Sequence, residues 1–302
     1  MPGMNKVILY YKFVPVSDPA ITMRWQRELC NRLNLKGRII VSVHGINGTL
    51  GGDIESLREY KREMNRSVLF KGIMYKWSDG NGREFPRLSV KVKPELVAFG
   101  VPSGIEVDEK GVVGTGKHLK PEALHELVKE RGEDVVFFDG RNAYEAAVGR
   151  FKNAVVPATK TTHDFVTELK KDKYNDIKDK PVVTYCTGGV RCEILSSIMK
   201  KEGFKEVYQV DGGIVKYGEK YKDDGLWEGA LHIFDDRMTH RFSDKSKDIG
   251  ECVHCHGKTS NYENCDNISC NRLVLICSDC LQTTFCDKCA KTEKLKPSRI
   301  KA

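Results

Sequence analysis

The sequence predicts an α/β fold: a parallel sheet with helices on both faces, preceded by a small α+β domain and followed by a cysteine-rich metal module. Three observations carry this. Between residues 118 and 225, short β-branched runs alternate with amphipathic helical stretches, the pattern of parallel strands covered on both sides. Residues 1–95 read instead as β-α-β-β-α-β with an extra strand. Eight of the eleven cysteines fall between Cys252 and Cys289, mostly in Cys-x2-Cys pairs, a spacing that suits metal rather than disulfides.

Length and composition are compatible with this division. A chain of 302 residues implies about two domains, or three small ones. Lysine and arginine total 50 against 42 acids, a net charge of +8, which permits a polyanionic partner without requiring one. No apolar run approaches the roughly 18 residues that cross a bilayer, and the N-terminus enters a strand without a signal-peptide pattern. With cysteines spaced for metal, a reducing compartment and a cytoplasmic location are expected.

In chain order, residues 7–14 read as a strand, and Asp18 or Ser17 as the cap of a helix that runs to about Leu35 and is stopped by Gly37. The strand 38–43 follows. The segment 45–52, rich in Gly and Asn, reads as a hairpin with close backbone approaches. It lacks the Gly-Lys-Ser/Thr ending of a phosphate loop. Asp53 caps a second helix over 54–64, and strands are expected near 73–77 and 88–92. This order is that of a ferredoxin-like sandwich, a scaffold that identifies no function. Arg83, Arg87, Lys91 and Lys93 form a basic run near its last strand, and His44 stands beside the hairpin.

Residues 96–117, rich in Gly and Pro, read as a linker. After them come a helix from His118 to Arg131, the strand 135–138 ending at Asp139, a short helix over 144–148, a strand over 154–156 and a helix over 164–171. The strand Pro181–Tyr185, the helix 193–201 and the strand 207–210 ending at Asp211 complete the domain, with 226–250 as connector. Ligands of such sheets bind beyond the carboxyl ends of the strands, where Asp139, Cys186 and Asp211 all stand.

The loop after Tyr185 carries the chemistry. Cys186, Thr187, Gly188, Gly189 and Val190 link a buried strand to a helix N-terminus, so unpaired amides and the helix dipole favour an anion there. Arg191 adds fixed positive charge. Together these lower the pKa of Cys186 and make it a nucleophile; the competing reading is a small cysteine packed after a strand. Cys192 is a candidate resolving thiol or a packed helix cysteine.

The tail at 251–290 spaces its cysteines as Cys252, Cys255, Cys265, Cys270, Cys277, Cys280, Cys286 and Cys289. Four thiolates complete a structural zinc, so eight complete two, and ligation supplies stability that so small a segment cannot draw from a core. The pairs either run in sequence or interleave as a cross-brace; we adopt the cross-brace, with Cys252, Cys255, Cys277 and Cys280 on one ion and Cys265, Cys270, Cys286 and Cys289 on the other. His254 and His256 are substitute ligands in this reading. Residues 291–302 carry five basic residues and one acid and read as a disordered tail.

Cys186, Gly189 and Arg191 match the Cys-x-x-Gly-x-Arg loop of the rhodanese family, and Asp139 with Arg141 match its Asp-x-Arg strand end. With Gly149-Arg150-Phe151, the string Cys186 to Glu193, the N-terminal acylphosphatase- or ferredoxin-like domain and the cysteine-rich tail, the whole chain resembles the rhodanese-type tRNA uridine(34) hydroxylases. That resemblance implies oxygen-dependent conversion of wobble uridine to 5-hydroxyuridine in bacteria. Cys186, Arg191, Asp139 and Arg141 would be its catalytic residues, a tRNA anticodon loop its substrate and molecular oxygen its co-substrate. Neither haem nor flavin, neither membrane nor DNA is expected. The rival readings are a sulfurtransferase carrying a Cys186 persulfide and a non-catalytic RNA- or protein-binding adaptor.

Overall fold

The computed structural model describes residues 4–281 and 284–291, so the basic tail lies almost wholly outside the described residues. Two compact units form: residues up to 142 with 154–220, and residues 143–153 with those from 221 onward.

The first unit opens with β1 (Asn5–Phe13), α1 (Pro19–Arg32), β2 (Lys36–Ser42), β3 (Gly45–Asp53), α2 (Ile54–Arg66), β4 (Tyr75–Asp79) and β5 (Leu88–Val92). The sheet order is β4-β1-β3-β2-β5, antiparallel throughout except for β2 with β5. Asp18 Oδ1 caps α1 by accepting from the amides of Ala20 and Ile21 at 2.9 Å. The expected stop at Gly37 moves: the helix gives way at Leu33 and Asn34 turns left-handed, while Gly37 lies inside β2. The segment 45–52 is the second strand of a hairpin with β2, and it is central in the sheet. Its amides are spent on ladders to β1 and β2 on both sides, which leaves no cradle for phosphate.

Ile8, Tyr10, Ile39, Val41, Ile46 and Leu50 point from this sheet into a core with Leu29, Leu57, Tyr60 and Met64 of the helices. Successive strand residues point to opposite faces. Leu9, Tyr11 and Phe13 therefore face away from α1 and α2. Phe13 belongs to the core of the parallel-sheet domain, with Tyr11 and Ile40 packed against it.

The segment 96–117 is folded against that domain. It holds the small hairpin β6 (Val107–Asp108) and β7 (Gly111–Val112), and buries Leu96, Phe99 and Val112 in the same core. Next come β8 (Lys117–Leu119), α3 (Pro121–Arg131) and β9 (Val136–Asp139). His118 thus stands in a strand, not in the expected helix; Pro121 occupies the first helical turn and biases Lys120 to extended backbone. From β9 the chain makes α4 (Ala143–Ala146) and β10 (Gly149–Phe151), which belong to the second unit. It returns with α5 (Asp164–Glu168), β11 (Pro181–Tyr185), α6 (Val190–Lys201), β12 (Glu206–Val210) and α7 (Gly213–Tyr221). The strand expected at 154–156 reduces to one parallel bridge between Val155 and Phe138, with Pro157 close behind.

The resulting sheet, β8-β12-β11-β9, is wholly parallel. All five residues of β11 are buried, so both faces of this strand are covered, as its unbroken apolar run requires. Ile194, Leu195 and Met199 of α6 and Phe165 of α5 join Phe138, Val182 and Val207 in its core.

In the second unit β10 pairs with β13 (Trp227–Gly229). β14 (Leu231–His232) and β15 (Thr239–His240) make a hairpin, as do β16 (Tyr262–Asn264) and β17 (Leu273–Leu275), and α8 (Asp287–Ala290) closes the described chain. Tyr262 donates to the Tyr144 carbonyl, and Val148, Tyr262 and Leu275 share a small core.

Candidate active site and cysteine clusters

β11 delivers Cys186 to the carboxyl edge of the parallel sheet, and Asp139 is the register partner of the preceding residue, Tyr185. Gly189 ends the loop at φ +98° and heads α6, a conformation natural to glycine. The turn aims amides inward: Gly189 N donates to Cys186 Sγ at 3.2 Å. Gly213 closes the loop from behind. At φ +68° it lets the Ile214 amide reach the Cys186 carbonyl at 3.0 Å, and a Cβ there would stand 2.5 Å from that carbonyl oxygen.

Burial alone would raise the Cys186 thiol. The Cys192 thiol, the Arg191 guanidinium and the amides of Cys192 and Arg191 outweigh it and bring the group down to about 6. Burial and the neighbouring Cys186 charge drive Cys192 the other way, so Cys192 remains a thiol and donates. Its sulfur also lies 3.8 Å from Thr184 Oγ1. Arg191 braces the loop by donating to Thr187 Oγ1 at 3.3 Å. Asp139 and Arg141, both fully buried, form a two-pronged pair, Nε to Oδ1 at 2.9 Å and Nη2 to Oδ2 at 2.7 Å. Asp211, at the end of β12, pairs with Lys216 at 2.7 Å.

A second set of residues at this edge escaped the sequence reading. Cys186 is 0 % exposed because the outer face of the N-terminal sheet lies over its loop. Leu9 Cδ2 would stand 2.5 Å from a Cβ on Gly188, and Tyr11 Oη 2.9 Å from one on Gly189. Tyr11 Oη donates to Glu193 Oε1 at 3.0 Å. Glu193 also accepts from Gln209 at 3.1 Å and Thr115 at 3.2 Å, and His118 Nε2 lies 3.2 Å from its carboxylate. Burial would raise the Glu193 carboxyl, but the bonds from His118, Gln209 and Tyr11 hold it below its ordinary range. The bond to Glu193 in turn raises His118 against partial burial. One signal for this face was available: Val7-Ile8-Leu9-Tyr10-Tyr11 is apolar or aromatic without alternation, as in a strand covered on both sides. The basic run Arg83, Arg87, Lys91 and Lys93 is exposed.

In the second unit the eight cysteines form two groups, Cys252, Cys255, Cys277, Cys280 and Cys265, Cys270, Cys286, Cys289, with all sulfurs of a group within 4.8 Å of one another. This is the interleaved pairing. Tetrahedral ligands about 2.3 Å from zinc stand about 3.8 Å apart; Cys255 and Cys277 are 3.5 Å apart, Cys270 and Cys286 3.8 Å. Outer donors suited to thiolates are in place, with Gly257 N on Cys255 at 3.4 Å, Cys286 N on Cys265 at 3.3 Å and Asn267 Nδ2 on Cys289 at 3.3 Å. Neither His254 nor His256 joins a group. Both groups can hold a metal ion.

Comparison with known proteins agrees with this anatomy. Residues 5–96 match the family described as UPF0176 acylphosphatase like domain, 120–220 the Rhodanese-like domain and 228–293 the Rhodanase C-terminal. A Corynebacterium diphtheriae protein named tRNA uridine(34) hydroxylase is 56% identical over 295 residues, 96% of this chain and 95% of its own. Proteins of the same name from Arthrobacter sp. and Pseudarthrobacter chlorophenolicus are 56% and 58% identical, over 95% and 92% of this chain and 98% and 95% of their own. An identity this high over nearly the whole length of both chains spans the loop, the covering sheet and the cysteine groups together, and the chain belongs to the tRNA uridine(34) hydroxylase family.

Proposed function

We propose that this protein hydroxylates uridine 34 of tRNA at C5, giving 5-hydroxyuridine, with molecular oxygen as co-substrate and Cys186 as nucleophile. The observation that carries the reading is a buried cysteine whose sulfur accepts from the Gly189 amide at the head of a helix, in a chain more than half identical to hydroxylases of that name along its length. The Cys186 thiolate adds to C6 of the uracil, and the C5–C6 electron pair moves to C5 and onto the C4 carbonyl oxygen. Arg191 and the loop amides steady that charge. C5, now electron-rich, takes up dioxygen as a hydroperoxide. An external dithiol, oxidised to its disulfide, supplies the two electrons and two protons that cleave the O–O bond, leaving a hydroxyl on C5 and releasing the other oxygen as water. Loss of H5 with departure of the Cys186 thiolate restores the double bond. Asp139 and Arg141 hold the adjoining strand end.

The anticodon loop is the part of tRNA suited to this edge, because a single-stranded base splays out without breaking a duplex. Leu9 and Tyr11 must move aside to admit it. Arg83, Arg87, Lys91 and Lys93 supply phosphate contacts. Each cysteine group holds a structural zinc with no open coordination position, so zinc stabilises the fold and takes no part in the chemistry. Among the described residues no helix is long and apolar enough to cross a membrane, and a tRNA substrate together with cysteines spaced for metal supports a cytoplasmic location.

The test is aerobic incubation with unmodified tRNA and mass spectrometry of its nucleosides. We expect 5-hydroxyuridine at position 34, with label from isotopic oxygen gas and no product from Cys186→Ser. Equal product from Cys186→Ser would end the nucleophile assignment, and 2-thiouridine in its place would favour a sulfurtransferase.

A further inference from the structure

The N-terminal domain brings a cation to the Cys186 loop as well as a cover. Lys76 of β4 is the register partner of Leu9, so Leu9, Tyr11 and Lys76 share the sheet face that lies over the loop. Lys76 Nζ stands 5.0 Å from the centroid of the Tyr11 ring, whose hydroxyl reaches over Gly189 to Glu193. Yet among the described residues no carboxylate lies within ion-pairing distance of Lys76, and the acids around it are already engaged. Asp211 is taken by Lys216, and Glu193 by Tyr11, His118, Gln209 and Thr115. Glu219 is near enough to feel Lys76 and Lys216 but forms no ion pair with either. A half-buried ammonium with only a ring face for company has lost part of its hydration without full compensation. That deficit is made good when a ligand oxygen arrives.

We propose that Lys76 is a substrate-contacting residue of the Cys186 site, its ammonium donating to a carbonyl oxygen of the base that Cys186 attacks. This rests on the hydroxylase reading above. The contact strengthens as the thiolate adds, because the displaced electron pair gathers on that oxygen. Burial brings Lys76 down to about 8, against the upward pull of Cys186, Asp211 and Glu193 and with the downward push of Lys216. The donor is therefore charged at neutral pH and lost in mild alkali.

The experiment compares the full-length, metal-loaded protein with Lys76→Met, Lys76→Arg and Cys186→Ser on unmodified tRNA. Lys76→Met should cut turnover by about 100-fold, the effect of removing one oxyanion donor. Its tRNA affinity should keep the wild-type salt dependence, since loss of a phosphate contact would lower that slope by about 1. Lys76→Arg should retain part of the rate, and its alkaline fall should move upward from about 8 because guanidinium does not titrate there. Wild-type turnover in Lys76→Met would overturn the proposal. So would a lowered salt slope, or an unmoved alkaline limb in Lys76→Arg, the arm that decides the matter if the Met variant misfolds. If the wild-type protein makes no 5-hydroxyuridine at all, the hydroxylase reading itself falls, and the fault does not lie with Lys76.

Discussion

Replacing Cys192 by Ala should raise the ionisation midpoint of Cys186, whereas replacing it by Ser should leave that midpoint close to wild type. The Cys192 thiol donates to the Cys186 thiolate, and the Arg191 charge and loop amides supply the rest of its stabilisation. A hydrogen bond to a charged group contributes about 1.5–3 kcal/mol, and about 1.4 kcal/mol corresponds to a tenfold change in ionisation. Loss of this one donor therefore carries the midpoint from about 6 to roughly 7–8. At pH 7 the ionised fraction falls from roughly nine-tenths to between half and a tenth. A serine hydroxyl still donates. The assay is the rate of carbamidomethylation of the Cys186 peptide against pH, read by mass spectrometry so that the other cysteines do not interfere. A resolving thiol would instead be disabled equally by Ala and Ser, and with little effect on the midpoint. An unmoved midpoint in Cys192→Ala would refute the donor reasoning.

Further outcomes follow from other contacts. Tyr11→Phe removes a donor to Glu193, so the sheet face over Cys186 should lift more readily and speed its alkylation by about tenfold, the equivalent of about 1.4 kcal/mol; an unchanged rate would mean that this face is not the seal. Gly213→Ala puts a Cβ against the Cys186 carbonyl at a left-handed φ and should cost about 1–3 kcal/mol in denaturant unfolding. His118 is raised by Glu193, so its contribution is complete below its unfolded value of about 6.5 and disappears as pH rises through the folded value. The melting temperature of wild type should therefore exceed that of His118→Gln most in mild acid, and the gap should close in alkali. Stripping metal with a chelator should release about two equivalents of zinc and expose 251–290 to proteolysis, and release of fewer would contradict the paired four-cysteine sites.

The elements legible in the sequence were those governed by local rules. Asp18 and Asp53 announced their helices as caps, the unbroken run Pro181–Tyr185 announced a strand covered on both faces, and the cysteine spacing announced two four-thiolate groups. Misplaced elements involved a competing local rule. Gly37 resembled a helix stop, yet Asn34 takes the left-handed turn. His118 began a plausible helical run, yet Pro121 fixed the start three residues later. The Gly-rich 45–52 read as a hairpin and forms one with β2, but its central place between β1 and β2 was not visible locally.

Cys186, Gly189 and Arg191 were legible because one strand-loop-helix contains them all. Leu9, Tyr11 and Lys76 were not, because their place at the site depends on how one domain packs on another. The strand that brings them there is committed on both faces: Ile8 and Tyr10 anchor it to α1 and α2, while Leu9, Tyr11 and Phe13 turn toward the parallel-sheet domain. A one-residue slip in its register with β3 would exchange those two sets. It would place Ile8 and Tyr10 over the Cys186 loop and carry Tyr11 away from Glu193. The register that builds the N-terminal core therefore also decides which side chains cover Cys186, so a core substitution as remote as Tyr60→Ala should alter alkylation of Cys186 as well as stability. If Tyr60→Ala lowers stability and leaves the Cys186 labelling rate unchanged under native conditions, core and cover are not coupled through β1.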